Sequence, residues 1–540
     1  MEVSTRLTAL FRWWDCAAQT DDKETMFKLL FATLLCTSTL AHAGSFQFSA
    51  QFGKYPVGFR VVEQYDYARV FKTRSDPVTG QPVARGERAR PIQTLIWYPA
   101  GGGGAPMAYR EYFNTLGSED DFTLSPAEKA RRIKAQIDAV VNGPRAAQAG
   151  EELARPMRAI ANAAPHAATF PVVIYAPGMG SSAMENADLC EYLASHGYLV
   201  IGSPSLGPRS RAMTPDLEGV EAQAGDIAFL IAYARGLPQA DMARVGVIGY
   251  SWGGLANVIA AAKDDRIGAL VSLDGSLRAH TEFIDGGRKA VRQVTPARLT
   301  APLLFMAARA RTLEEMNKIG IGTSFSLMNK MKHADTYIMT MNPMKHADFD
   351  AYMVRFQPDA RLADYSREEV SLAYTWTARY VHRFLDAYLK SDASGTAFIN
   401  NKPAVIGVPP RFISTDIRPA ASRPATAETL AAELGASGFA RAIVAYDAMK
   451  AREPDFTFAA AALNEWGYAL LNHGKPADAV HIFKLGVYVH PASANLFDSL
   501  AEAQLTTHDR QGAIDSYRRA LALNPDDPRV KAKLTSLGAR

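Results

Sequence analysis

Six apolar runs constrain this chain more than any other feature: PVVIYA (171–176), YLVIGS (198–203), VGVIGY (245–250), ALVSLD (269–274), APLLFMAA (301–308) and TYIMTMN (336–342). Helix-like stretches fall between them, one ending near Leu193 and others over 220–235 and 255–262, and a long one over 368–389 follows the last run. Runs rich in Val, Ile and Leu without polar alternation suit strands buried on both faces, and amphipathic helices between them supply the two covering layers. The expectation is an α/β fold over 44–390, a mostly parallel sheet with helices on both faces. Strand-like patterns at 52–71 and 92–100 are read as its first strands, with antiparallel pairing open to them. GGGG at 101–104 lacks the Lys-Ser/Thr ending of a phosphate loop and is read as a linker. Helical patterns over 124–164 form an insertion, at about 110–165, that serves either as a lid or as plain surface.

The third run ends in GYSWGG, a G-x-S-x-G pattern. A strand that reverses at once into a helix needs small residues beside the turn, and that geometry lifts the serine oxygen clear of the sheet. Alone the pattern carries little information. Ser251 is a nucleophile only if the chain also supplies a base, an acid and an oxyanion site.

Those partners must lie just past the C-terminal ends of strands. Of the eleven histidines, His42 falls in a leader, His473, His481, His490 and His508 in a repeat region, His382 within the long helix and His196 ahead of a strand. His166 and His280 do not directly follow a sheet strand. His333 precedes TYIMTMN and belongs at the opposite edge, whereas His346, in NPMKHADFDAY, follows it and is the expected base. Asp274 closes ALVSLD, one strand beyond the nucleophile, and is the expected acid; the next strand is followed nearby only by Glu314 and Glu315 in a helical stretch. The expected oxyanion donors are two backbone N–H groups, that of Trp252 at the positive end of the new helix and that of Met179 in PGMGSS after PVVIYA.

In this order along the chain, YAPGMGSS, LASHGYLV, GYSWGG, VSLDG and KHADF resemble blocks of the secreted and bacterial relatives of platelet-activating factor acetylhydrolase, within the α/β-hydrolase superfamily. The likeness runs from about Tyr55 to Leu389, leaving out the insertion and the C-terminal region. In that family the acid lies 23 residues after the nucleophile, as Asp274 does after Ser251. The family's oxyanion donors fall on Met179 and Trp252 and its histidine on His346, and the order Ser, Asp, His is that of the superfamily. The resemblance implies carboxylic esters, short-acyl or phospholipid-derived, cleaved through an acyl-enzyme. Dienelactone hydrolases are similar in fold but use a cysteine nucleophile, so Ser251 argues against their activity.

Several prolines in NKPAVIGVPPRFISTDIRPAASRPATAE mark 391–424 as a linker. Beyond it Ala479, Phe483 and Pro491 recur as Ala513, Tyr517 and Pro525, each 34 residues on, and Gly467 and Ala501 share that offset. The region 425–540 resembles tetratricopeptide repeats, with a less regular first unit at Ala442, Tyr446 and Pro454 and a closing helix at 529–537. Such arrays imply a protein partner or self-association; packing against the catalytic region is the alternative.

Near the start, MFKLLFATLLCTSTLAHAGS carries Lys28, an apolar run from Leu29 to Cys36 and an A-H-A site before Gly44, the pattern of a secretory signal too short to span a membrane. Because 25 residues precede Met26, the true start is expected at Met26, within a leader of 1–43. Export to the periplasm or medium follows, with no transmembrane segment in the mature chain. Cys16 and Cys36 would leave with the leader, so Cys190 stands alone and an intramolecular disulfide is excluded from the mature chain.

A chain of 540 residues exceeds one ordinary core, and on the order of two to four domains are expected. With 59 basic and 55 acidic residues and no basic stripe, nucleic acid is not an expected partner. The sequence holds no H-E-x-x-H, no C-x-x-C and no dinucleotide glycine fingerprint followed by an acidic residue in the right place, so neither a metal nor an organic cofactor is expected. The reading is an exported serine esterase acting on a small-molecule ester. An oligopeptide hydrolase with the same triad stands behind it, since no propeller-like repeat and no second acidic pair is found. An interaction protein with a vestigial hydrolase region stands further behind, because every catalytic role is filled.

Overall fold

The computed structural model describes residues 44–71, 89–284, 294–295, 299–311, 313–318, 326–362 and 364–539. The leader and its signal-like run lie outside the described residues. Two units follow one another, divided between Pro419 and Ala420.

In the first unit ten strands form one sheet: β1 (Val57–Val70), β2 (Ala89–Pro99), β3 (Ala159–Ala161), β4 (Phe170–Ala176), β5 (Leu199–Gly202), β6 (Ala240–Tyr250), β7 (Ile267–Leu273), β8 (Leu303–Ala308), β9 (Thr336–Met341) and β10 (Ile413–Arg418). Their order is β10-β9-β8-β7-β6-β4-β5-β2-β1-β3. The six strands from β5 through β4 to β9 run parallel. β2 is antiparallel to β5 and to β1, as its position ahead of the βα units allows.

Every residue of β4 is buried, which is why its sequence shows no polar alternation. Val173 and Tyr175 enter one apolar core and Val172 and Ile174 the other. The first core is completed by α3 (Ala187–Ser195) and α6 (Arg367–Leu389), the second by α4 (Leu217–Ala234) and α5 (Trp252–Ala261). Helices thus cover both faces.

The insertion holds α1 (Pro126–Val141) and α2 (Ala146–Ala154). α1 is capped by Ser125, whose hydroxyl accepts the Glu128 N–H, and buries only Val140. The insertion does not form a separate body: Tyr109, Tyr112 and Phe113 at its start are fully buried, and its end forms β3 along β1.

The stretch expected to be a linker differs from that reading. It contains α7 (Ala393–Asn400) and β10, which pairs antiparallel with β9 from Ile413 opposite Met341 to Arg418 opposite Thr336. Its prolines misled because they flank the strand: Pro409 and Pro410 precede β10 and Pro419 follows it, where no ladder N–H is needed.

The second unit is all-α among its described residues. Its helices are α8 (Ala427–Ser437), α9 (Ala442–Arg452), α10 (Ala460–Asn472), α11 (Pro476–Val489), α12 (Ala494–Thr506), α13 (Arg510–Leu523) and α14 (Pro528–Ser536). Gly467 explains one repeated small position: a Cβ there would sit 2.4 Å from the Phe483 ring, so α10 and α11 meet in close contact. Ala501, its counterpart 34 residues on, is fully buried. Among the described residues no helix of either unit is long and apolar enough to cross a membrane.

Candidate active site

β6 ends at Tyr250 and α5 begins at Trp252, leaving Ser251 alone in the reversal at φ 52° and ψ −113°. A non-glycine residue holds such a conformation only where its surroundings over-determine it. Here they do. A Cβ on Gly249 would lie 2.2 Å from the Gly253 oxygen, and one on Gly253 would lie 2.0 Å from the Ala176 oxygen. The Ser251 N–H donates to Leu273 O at 3.1 Å, and its own carbonyl accepts from Ser276 N–H at 2.8 Å. The elbow is thereby fixed to the ends of β4 and β7.

Asp274 follows β7 directly, at φ 42°, a region that Asp tolerates better than most residues. Its Oδ1 accepts the Ala308 N–H at 2.9 Å, and its own N–H donates to Met306 O at 2.7 Å. Both bonds tie the carboxylate to β8, which aims Oδ2 at the imidazole. His346 opens a 3-10 turn (His346–Phe349) after β9. Its Nδ1 lies 2.7 Å from Asp274 Oδ2 and its Nε2 lies 2.8 Å from Ser251 Oγ. The three side chains expected from the sequence therefore stand in one hydrogen-bonded row.

The two expected oxyanion donors lie on adjoining backbone. Trp252 is the first residue of α5, so its N–H has no intrahelical acceptor. The loop after β4 passes over that first turn: besides its clash with Ala176, a Cβ on Gly253 would lie 2.8 Å from the Pro177 oxygen. One on Gly178 would touch the Tyr250 ring at 3.1 Å. Neighbouring groups of the loop are engaged, with Gly178 O accepting from Ser181 N–H at 3.0 Å and Ser181 O from Ser205 N–H at 2.8 Å. No hydrogen bond of the Met179 N–H is found among the described residues.

The other described histidines stay apart from this row. His333 is buried ahead of β9, and His196 stacks on His382 with centroids 3.9 Å apart. His280 stands edge-on to the Trp252 indole at 5.1 Å.

Three features had no signal in the sequence. Tyr250 lies against His346, ring centroids 5.3 Å apart. A cavity of about 170 Å³ adjoins His346 and Asp274 and is lined by Arg278, Arg309 and Arg311, with Asp274 the only carboxylate among its described lining residues. Two carboxyls, Glu185 and Asp350, are buried behind the site. Burial pushes Glu185 up to about 7, and burial together with the Glu185 charge pushes Asp350 well above the ordinary carboxylate range. Spacing could not have revealed Glu185, because AMENADLC reads as the start of an ordinary helix. Among the described residues no group of three His, Cys, Asp or Glu side chains is arranged to hold a metal ion.

Comparison with protein families agrees with this architecture. Residues 157–319 match the model of the Dienelactone hydrolase family, a segment that includes Ser251 and Asp274 and ends before His346. No curated protein matches the chain. Among solved structures, the ferulic acid esterase from Streptomyces cinnamoneus is similar over 69% of this chain and 99% of that one, with 21% identity and a TM-score of 0.48. With a mostly parallel sheet, helices on both faces and a segment similar to the Dienelactone hydrolase family, the first unit of this chain has an α/β-hydrolase fold.

Proposed function

We propose that the protein is a serine hydrolase that cleaves carboxylic esters through an acyl-enzyme, exported by the signal-like run ahead of Gly44. One observation carries the reading: the continuous row from Ser251 Oγ through His346 to Asp274, at 2.8 and 2.7 Å. A serine hydroxyl is a poor nucleophile at neutral pH and needs a base within hydrogen-bond reach that is itself held by an acceptor. His346 Nε2 takes the Ser251 proton as Oγ attacks the ester carbonyl. Asp274 holds the Nδ1 proton and stabilises the imidazolium. The N–H groups of Met179 and Trp252 receive the charge on the carbonyl oxygen, helped by the dipole of α5. Collapse of the tetrahedral species expels the alcohol, which takes the proton back from His346 Nε2. Water then repeats the sequence on the acyl-enzyme and releases the acid.

The nucleophile is an oxygen, which favours a serine esterase over the thiol chemistry of dienelactone hydrolases. Short-acyl and phospholipid-derived esters are the proposed substrates, on the resemblance of the five sequence blocks to acetylhydrolases. The helices after Ala425 are proposed as a repeat array for a protein partner or self-association.

The test is turnover of p-nitrophenyl esters and of peptide amides by the wild type and by Ser251→Ala, with labelling by a fluorophosphonate. Ester turnover that disappears in Ser251→Ala supports the reading. Preference for amides points to a peptidase, and absence of both turnover and labelling overturns the enzyme claim.

A further inference from the structure

Glu185 touches no reacting atom in the scheme above, yet its position behind the oxyanion loop is specific. It is 4% exposed, and its Oε1 accepts two hydrogen bonds, from Gly178 N–H at 2.9 Å and from the Tyr175 hydroxyl at 2.7 Å. Gly178 is the hinge between two peptide planes. The plane before it is fixed at both ends: Glu185 holds its N–H, and Gln223 Nε2 donates to its oxygen, that of Pro177, at 2.8 Å. The plane after it contains Gly178 O and the Met179 N–H. Once Gly178 O accepts from Ser181 N–H, planarity turns the Met179 N–H the other way. The direction of that donor is thus set on one side by the Ser181 bond and on the other, across the Gly178 hinge, by the plane that Glu185 and Gln223 hold.

The same contacts extend to the histidine. Asn186 Nδ2 donates to the Tyr175 hydroxyl oxygen at 2.6 Å, and Asn186 Oδ1 accepts from Ala351 N–H at 3.1 Å and from the Tyr374 hydroxyl at 2.7 Å. Ala351 lies five residues after His346. Glu185, Tyr175 and Asn186 are all buried, so water does not compete for these bonds. A single run of hydrogen bonds connects the loop of Met179 with the segment that carries His346.

We infer that Glu185 is a positioning residue, which through its bond to Gly178 N–H aims the Met179 N–H at the oxyanion and through Tyr175 and Asn186 keeps that loop in register with His346. The inference rests on the serine-hydrolase reading and adds to it a part of the chain with no place in the triad. A donor aimed where charge develops stabilises the transition state more than the bound ester. Loss of Glu185 should therefore lower kcat and leave KM nearly unchanged.

The experiment compares wild type, Glu185→Leu, Glu185→Gln and Tyr175→Phe on a p-nitrophenyl ester, with rates normalised to active sites titrated to completion by a fluorophosphonate so that misfolded chains do not count. Inhibition by a trifluoromethyl ketone, whose adduct places an oxyanion between the two donors, is the second readout. Glu185→Leu should lose about 10- to 100-fold in kcat, with KM moving less than about threefold and ketone affinity falling in parallel. Glu185→Gln keeps an acceptor oxygen and should recover most of that loss, and Tyr175→Phe should fall between them. If Glu185→Leu does not fold, Tyr175→Phe carries the same split. Unchanged kcat and ketone affinity in these variants, a rise in KM without a fall in kcat, or a Gln variant as poor as Leu would overturn the inference while wild type and Ser251→Ala still support the esterase. A wild type that neither turns over nor is labelled overturns both.

Discussion

Tyr250 supports His346 twice: its ring lies against the imidazole with centroids 5.3 Å apart at 30°, and its hydroxyl donates to the His346 main-chain oxygen at 3.2 Å. The residue before the proposed nucleophile thus holds the proposed base. Tyr250→Phe keeps the ring and loses the hydrogen bond, and kcat should fall by about 3- to 10-fold, in line with one neutral hydrogen bond. Tyr250→Ala removes the support as well and should cost about 100-fold, the scale of a small displacement of a catalytic group. Steady-state kinetics on a p-nitrophenyl ester separates the two. Equal losses in both variants would show that the ring contributes nothing.

Asp274 holds one oxygen on the Ala308 N–H and the other on His346 Nδ1. Asp274→Asn keeps the shape but can present an N–H to Nδ1, which favours the imidazole tautomer with its proton on Nε2, the wrong nitrogen for a base. The expected loss is about 10³- to 10⁴-fold in kcat, with KM little changed. A loss under tenfold would remove Asp274 from its proposed role.

Gly253→Ala sets a Cβ 2.0 Å from the Ala176 oxygen and 2.8 Å from the Pro177 oxygen. Both obstacles are backbone, so the elbow and the oxyanion loop must separate. Destabilisation of about 1–3 kcal/mol, typical of overpacking, should appear in the urea midpoint, together with a fall in kcat larger than that of any other single methyl insertion in α5. Wild-type kinetics in a folded Gly253→Ala would contradict the close packing of loop and helix.

The cavity beside His346 and Asp274 is lined by Arg278, Arg309 and Arg311. A positive wall favours an ester that carries its own negative charge. A carboxylate-bearing ester should show a KM lower than its neutral methyl counterpart by about 5- to 10-fold, with the difference shrinking as salt screens it. Arg309→Ala should reduce this preference without altering kcat for the neutral ester. Equal KM values for the two esters at low salt would exclude a binding role for the arginines.

Glu191 is 1% exposed and accepts from the Tyr112 hydroxyl at 2.6 Å and from Arg158 N–H at 2.7 Å. Burial pushes it up from 4.5 to about 7, as it does Glu185. Both groups favour the proton in the folded state, so the stability they contribute is complete below pH 4.5 and is lost as pH rises through about 7. Glu191→Gln removes one such dependence, on the order of 3 kcal/mol at most across that window. Urea unfolding at pH 5 and pH 7.5 should show a smaller difference for the variant than for the wild type. Identical differences would mean that Glu191 is ionised at both.

The row of Ser251, His346 and Asp274 could be read in the sequence because each member follows a strand that announces itself. VGVIGY, ALVSLD and TYIMTMN are largely apolar stretches, and parallel strands bring their C-terminal ends to one edge, so Ser251, Asp274 and His346 could be placed by chain order alone. The supports around them could not be. Tyr250 looks like the last apolar residue of its strand, and Glu185 acts through a contact with Gly178 that depends on how a 3-10 turn (Ala183–Asn186) folds back beneath the loop. β10 was missed for a third reason. ISTDIR is short, mostly polar and bracketed by prolines, which is how an edge strand and a linker both read.

Chain order gives β10 a further consequence. β9 leads into His346, and among the described residues its outer ladder is filled by residues 413–418, more than seventy positions downstream. A ribosome that has released β9 and the turn after it has therefore made His346 but left the strand with bare N–H and C=O groups until Arg418 emerges. A chain cut at Leu389, after the long helix, would keep Ser251, Asp274 and His346 and still carry that open ladder, ready to pair with a second molecule. The smallest stretch that can carry Ser251, Asp274 and His346 without this liability ends at Arg418.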